Sequence, residues 1–313
     1  MSQTAAHVPS AAAEATLARQ GRSFHWARRL LGPTHADRAT RLYAFCRRLD
    51  DLVDEAVSPE QARLALAAAD RAIADGQSDD PVLRDGLALM RECGIEPGVV
   101  RELIAGMASD AETVRVADEA ELLRYCYRAA GTVGLMMCRV LDAPEPSAAA
   151  HAVDLGIAMQ LTNLCRDVAD DARMGRRYLP SSLVGDVAPD ELIDPSPALR
   201  PKVRAAVARL IALAETYYAS GEAGLPFLPV RARAGILVAG RVYRAIGHRL
   251  AAAEHAYWEG RAFVPDWRKA TITLAALTTQ PLRGAFWSRP QVHSVSLHQA
   301  LIGLPGITAR HGD

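Results

Sequence analysis

Two acidic stretches set inside apolar helical sequence constrain this chain more than any other feature. The first is Gln160-Leu161-Thr162-Asn163-Leu164-Cys165-Arg166-Asp167-Val168-Ala169-Asp170-Asp171. In a helix Gln160, Asn163, Asp167 and Asp171, at steps of three and four, share one face, while Leu161, Leu164 and Val168 turn toward a core. The second is Arg47-Arg48-Leu49-Asp50-Asp51-Leu52-Val53-Asp54-Glu55, where Asp50 and Asp54 stand one turn apart and Arg47 one turn before. Like charges at this spacing cost an exposed helix about 0.2–0.5 kcal/mol, and more when buried. One such cluster is ordinarily a solvated acidic turn. Two, with amides on one and arginine on the other, read as paired arms for a hard cation. Mg2+ fits, because it takes oxygen ligands at about 2.0–2.1 Å and bridges to phosphates; Mn2+ is the alternative ion of that class. Asp51 and Asp170 point about 100° away from their neighbours on the helix and rank second.

Composition removes other classes. The 313 residues are half hydrophobic with zero formal net charge, so a nucleic-acid footprint is excluded. Five cysteines without a C-x-x-C pair read as free thiols of a reducing compartment. No apolar run approaches the roughly 20 residues that span a bilayer, and the N-terminus lacks the pattern of a signal peptide. We therefore expect a cytoplasmic protein with peripheral contact at the inner membrane, through the tryptophans and arginines between Trp267 and Trp287.

Alanine, leucine and arginine dominate and β-branched alternation is nearly absent, which predicts an all-α fold. Expected helices cover Ser23 to Leu31, Thr34 to Glu55, and a segment opened by Ser58-Pro59-Glu60 in the order cap, proline, acid. Further helices cover Val82 to Cys93, Pro97 to Ala108, Asp118 to Leu141, Ala148 to Arg173, Pro201 to Ser220 and Val230 to Trp258. Val184 to Ala198 reads as a loop or short helix. The expected organisation is a loose tail over 1–18, one helical domain over 19–288 and a loose tail over 289–313. Tyr127, Gly131 and Gly134 share a face of the Asp118 to Leu141 helix, which leaves room either for a large apolar ligand or for close helix packing. Arg176-Arg177, just beyond the second acidic cluster, is a basic pair placed to meet an anionic ligand.

There is no H-E-x-x-H, G-x-S-x-G or Walker loop, and no strand to carry a Rossmann glycine loop. Neither acidic cluster contains histidine, which disfavours a di-iron bundle. Magnesium and a phosphorylated ligand in an apolar bundle remain. An allylic diphosphate suits such a site: metal neutralises the leaving group, and the resulting carbocation needs a dry cavity and aromatic faces.

Three stretches together resemble the squalene/phytoene synthase family, which joins isoprenoid diphosphates head to head. They are Y-A-F-C-R-R-L-D-D-L-V-D-E (Tyr43 to Glu55), Y-C-Y-R-A-A-G-T-V-G (Tyr125 to Gly134) and L-G-I-A-M-Q-L-T-N-L-C-R-D-V-A-D-D-A-R-M-G-R-R-Y-L-P (Leu155 to Pro180). The resemblance implies a single-domain isoprenoid synthase bundle around a central apolar cavity. It implies Asp50, Asp54, Asp167 and Asp171 as magnesium ligands, assisted by Asn163. It implies Ser23, Arg47, Arg176 and Tyr178 at the diphosphate, Tyr43, Tyr127 and Gln160 around the reacting carbons, and more loosely Tyr243 and Arg261. His25, Trp26 and Arg128 depart from the family pattern.

The resemblance further implies condensation of two geranylgeranyl diphosphates through cyclopropyl prephytoene diphosphate to phytoene, with no NADPH. Phe286-Trp287-Ser288-Arg289-Pro290 also looks like bacterial phytoene synthases. Squalene, hydroxysqualene or dehydrosqualene synthesis from farnesyl diphosphate is the alternative product class. Two other classes stay open: a head-to-tail chain-elongating prenyltransferase, whose D-D-x-x-D pattern Asp50 to Asp54 fits, and a non-catalytic helical scaffold.

Overall fold

The computed structural model describes residues 28–289 and 292–307, and among them only helices and their connections occur, apart from one isolated β-bridge. Twelve α-helices follow in chain order: α1 (Pro33–Asp54), α2 (Pro59–Asp75), α3 (Pro81–Cys93), α4 (Pro97–Asp110), α5 (Glu119–Cys126), α6 (Thr132–Val140), α7 (Pro146–Arg166), α8 (Val168–Arg173), α9 (Ser181–Val184), α10 (Arg200–Ala223), α11 (Val230–Ala252) and α12 (Asp266–Thr279). The helix starts follow local chemistry. Proline occupies the first turn of α1 to α4, where a missing N–H costs nothing. Ser58 and Asp80 cap α2 and α3 with their side chains, and Gly76 and Gly94 end those helices in the left-handed region.

Helix α7 is the axis of the bundle. Val153, Ile157, Ala158, Leu161 and Cys165 on it are fully buried. It packs on α6, α10 and α11, while α6 also packs on α1. Glycines allow the closest crossings. A Cβ at Gly134 would stand 2.2 Å from the Ala152 carbonyl oxygen, and one at Gly156 2.4 Å from that of Ala130. Of the two readings of the Gly131–Gly134 face, close packing is therefore what the fold uses.

Several expected boundaries move. The Asp118 to Leu141 helix contains a wider turn at Tyr127–Gly131, between α5 and α6. The Ala148 to Arg173 helix is interrupted at Asp167, where φ is −103° and ψ 13°. Helix α11 stops at Ala252 rather than Trp258, because Glu254 and His255 take positive φ. The expected loose tail over 289–313 is corrected over 292–307. Leu301 and Leu304 are buried, Tyr217 donates to the Leu297 carbonyl at 2.7 Å, and Arg124 donates to the Ala300 carbonyl at 3.0 Å. Burial of those leucines and satisfied carbonyls hold the segment on the bundle; its polar, proline-punctuated sequence concealed this. The expected N-terminal tail and Ser23, His25 and Trp26 lie outside the described residues.

Candidate active site

The two acidic stretches meet at one end of the bundle, and a third element joins them. Asp50, Val53 and Asp54 of α1 share a small cleft with Met107 and Asp110 of α4 and with Arg176. Arg176 also borders a second cleft with Asp171, Val168 and Tyr178. It is thus the residue common to both clusters.

Asp50 and Asp171 have no side-chain hydrogen bond among the described residues. Burial, followed by Asp54, Asp51 and Asp110, pushes the Asp50 carboxyl up to about 6 against the pull of Arg47. Burial, followed by Asp167, pushes Asp171 up to about 7, with Arg176 opposing. Asp110 is likewise raised, first by burial, although Tyr178 and Tyr125 donate to it. Two more polar atoms point to a missing partner: Asn163 Oδ1 and Arg47 Nε are buried with none. Half-buried carboxylates that repel their neighbours beside an orphaned amide oxygen are the donor set a hard cation satisfies. The residues fit Mg2+.

The remaining members are already paired. Arg47 reaches Asp51 at 2.6 Å and Asp54 at 3.3 Å. Asp167 accepts from its neighbour Arg166 and, at 2.8 Å, from Arg261 Nε. Burial raises its pKa, but these two guanidinium groups outweigh that and hold it below the usual carboxylate range. Asp170 is exposed and paired with Arg173. Asn163 donates weakly to Gln160 at 3.5 Å. Tyr43 lies within electrostatic reach of Arg47, Asp50 and Tyr243, and Tyr243 in turn of Arg166, Asp167 and Arg261. The two tyrosines thus span from one cluster toward the other.

Three sequence assignments change. Tyr127 turns away from the acidic end: it is fully buried and donates to the Pro305 carbonyl. The tyrosine of that stretch at the site is Tyr125, whose hydroxyl donates to Asp110 at 3.1 Å. Tyr178 meets the site through Asp110, donating at 2.6 Å, with its ring 4.7 Å from that of Tyr125. Arg177 is not part of a basic pair facing a ligand. It is buried and donates to the carbonyls of Val116 and Leu179. Asp110 was missed because nothing in its spacing marks a lone acid at the end of an apolar helix. Arg128, out of pattern for the family, points outward to Glu102 at 2.9 Å.

The Arg176–Pro180 loop is fixed by main-chain bonds to residues 114–117. Val116 donates to the Arg177 carbonyl, Arg177 to that of Val114, and Ser181 to that of Val116. Gly175, at φ 75°, makes the turn that lets Arg176 return over Asp171.

Below the acidic end, half-buried apolar side chains continue the same helical faces into the bundle. They are Met159, Leu155 and Ala152 on α7, Cys46 and Ala39 on α1, and Val133 and Met137 on α6. These side chains pack on the core while staying partly accessible, so the faces that carry the acids continue inward as apolar surface.

The raised carboxyls make a pH prediction. A group whose folded-state pKa exceeds its unfolded value near 4 binds its proton more tightly when native. That contribution is full below about pH 4 and is lost as pH rises through the folded values of about 6 and 7. Metal-free protein should therefore melt at lower temperature at pH 7.5 than near pH 5, and Mg2+ should recover the loss at pH 7.5. A Tm in EDTA that is flat across this range would contradict the two carboxyls being desolvated and unpaired.

Comparison with known proteins gives the family. The family model for squalene/phytoene synthase matches residues 17–268. The phytoene synthase of Pseudescherichia vulneris is 34% identical over 300 residues, covering 88% of this chain and 96% of its own. The 15-cis-phytoene synthase of a Paracoccus species is 40% identical over 239 residues, covering 73% and 77%. Among solved structures, a dehydrosqualene synthase in complex with ligand aligns with a TM-score of 0.78 at 26% identity, covering 87% of this chain and 96% of that one. A match over this span, with the acidic motifs brought to one end of an all-helical bundle, identifies the chain as a member of the squalene/phytoene synthase family.

Proposed function

We propose that this chain condenses two geranylgeranyl diphosphates head to head, through prephytoene diphosphate, to phytoene. The observation that carries this reading is the pair of half-buried carboxylates Asp50 and Asp171, without hydrogen-bond donors, beside orphaned Asn163 Oδ1 on faces that continue inward as apolar side chains. Asp50, Asp54, Asp167, Asp171 and Asn163 would hold Mg2+, or Mn2+ in its place. Bound there, the ion neutralises the departing diphosphate, so that the allylic carbon–oxygen bond can break.

The chain's own side chains do the rest. Arg47, Arg176 and Arg261 turn positive charge toward the diphosphates, with Ser23 the further expected contact. Tyr43, Tyr243 and Tyr125 offer ring faces to the carbocation. Tyr178 acts through Asp110, fixing that carboxylate. Gln160 stays beside Asn163. The stripe of Met159, Leu155, Val133 and Met137 keeps water from the cation.

Relatives named phytoene synthase, at 32–40% identity, support the C20 substrate over the C15 substrate of the alternative. Incubation with each diphosphate and Mg2+, followed by mass analysis of the hydrocarbon, tests the assignment. We expect a C40 triene core formed from the C20 substrate and no change on adding NADPH. A C30 hydrocarbon or a C30 alcohol formed preferentially would overturn the substrate and leave only head-to-head chemistry; no turnover of either leaves the scaffold reading.

No helix of the described residues is long and apolar enough to cross a membrane. Peripheral contact of a cytoplasmic protein with the inner membrane is supported by an inverted face. On α12 only Lys269 and Ala276 are buried, while Trp267 and Leu274 are exposed, as are Phe263, Leu282 and Trp287 nearby. Replacing both Trp267 and Leu282 with alanine should weaken flotation with anionic liposomes by about tenfold or more, given roughly 1.5–3 kcal/mol per large apolar side chain. Equal flotation of wild type and variant would remove this surface from the reading.

A further inference from the structure

We propose that His151, Asp154 and His293 form a binding site for a transition metal ion of the zinc class, separate from the acidic end of the bundle. Asp154 lies on α7, on the face turned toward α10 and the C-terminal segment, and is completely buried. Among the described residues no lysine or arginine pairs with it. Instead His293 Nε2 stands 2.6 Å from one carboxylate oxygen and His298 Nε2 2.8 Å from the other, and Ser220 Oγ donates to the first. A fully buried carboxylate needs positive charge nearby, and three imidazoles surround this one.

The orientation of His151 adds a second, independent sign. Its Nδ1 is 2.8 Å from the Ser220 carbonyl oxygen, a position where an N–H donates. That bond fixes the tautomer and leaves the Nε2 lone pair available, which is the outer-shell arrangement found behind metal-binding histidines. The His151 ring meets that of His293 edge-on at 5.0 Å, and His293 lies 4.4 Å from His298. One ligand atom each from His151, Asp154 and His293 fall within 4.8 Å of one another. Two imidazoles and a carboxylate suit Zn2+, whereas the acidic end offers only oxygen donors and suits Mg2+. The two sites therefore select different ions.

A cation here would replace the His293 Nε2–Asp154 contact by coordination from both groups. It would also join α7 to a segment 139 residues away in sequence. That segment accepts hydrogen bonds from Tyr127 at Pro305, Tyr217 at Leu297 and Arg124 at Ala300, so its docking is tied to the bundle at three further points. The ion would fasten the C-terminal segment, with its effect read in the order of residues 293–304.

The test uses full-length protein stripped with EDTA and titrated with Zn2+ or Co2+ in excess Mg2+. We expect one Zn2+ retained per chain after desalting, the intense visible spectrum of four-coordinate Co2+, and slower hydrogen exchange over residues 293–304. His151→Ala and His293→Ala should each weaken Zn2+ binding by about 100-fold or more, while Asp50→Asn keeps it. If His293→Ala fails to fold, the wild-type Co2+ spectrum decides. Failure to retain Zn2+, a weak six-coordinate oxygen-type spectrum alone, or loss of Zn2+ in Asp50→Asn equal to that in His293→Ala each overturns the site.

Discussion

Asp50→Asn and Asp171→Asn should each reduce turnover by about 10³-fold or more, corresponding to the several kcal/mol of charge stabilisation that a ligand to the metal supports. Both side chains are half-buried without a hydrogen-bond donor, and both carboxyls are pushed up, to about 6 and about 7. Removing the charge removes a group that the metal-free fold ionises unwillingly. Each variant should therefore keep its helicity and melt at or above the wild-type temperature in EDTA at neutral pH, by the equivalent of about 1–3 kcal/mol. Asp170→Asn, whose carboxylate is exposed and already paired with Arg173, should lose far less activity. Product assays across a magnesium titration, with melts in EDTA, separate these expectations. Near-normal turnover of Asp50→Asn or Asp171→Asn in excess Mg2+ would remove that residue from the metal site.

Gly134→Ala should destabilise the protein by about 3 kcal/mol or more, because the new methyl group would meet a carbonyl oxygen 2.2 Å away. The neighbour is backbone of α7, which cannot rotate aside, so α6 and α7 must part. Gly156→Ala should behave alike from the other side of the same crossing, at 2.4 Å from the Ala130 carbonyl. Gly98 is the control: nothing lies within 4 Å of its virtual Cβ, so Gly98→Ala should be neutral or stabilising by up to about 1 kcal/mol. Thermal melts of the three variants check this. An unchanged Tm for Gly134→Ala with a shortened product would instead make Gly134 a wall of the substrate site.

The two acidic clusters were legible because their spacing is local: four residues on one helical face and a carboxylate pair on another can be counted in the sequence. The all-α class was legible for the same reason. Glycine spacing was ambiguous in principle, since a missing side chain leaves room equally for a ligand or for another helix; only the position of Ala152 decides. Asp110 and Tyr125 could not be placed at the site by counting. Asp110 joins it because α4 ends beside α1, and Tyr125 donates to Asp110 while Tyr127 faces Pro305. Two positions on a helix lie about 200° apart, so the two tyrosines face opposite sides. Arg176 and Arg177 differ for a comparable reason, since neighbouring residues in the paired loop point to opposite sides. The C-terminal segment read as loose because its anchors, Asp154, Tyr217 and Tyr127, lie far upstream in sequence.

The pairing of residues 114–117 with the Arg176–Pro180 loop bears on binding thermodynamics. Ordering one residue's backbone costs about 1–2 kcal/mol of conformational entropy. Here main-chain bonds from Val116, Arg177, Ser181 and Ser182 fix that loop during folding. A diphosphate binding at Arg176, as proposed, would thus meet an arginine whose backbone is already held by main-chain bonds. The association step then lacks the entropic penalty of freezing a loop, and the heat of binding should carry little signature of coupled ordering.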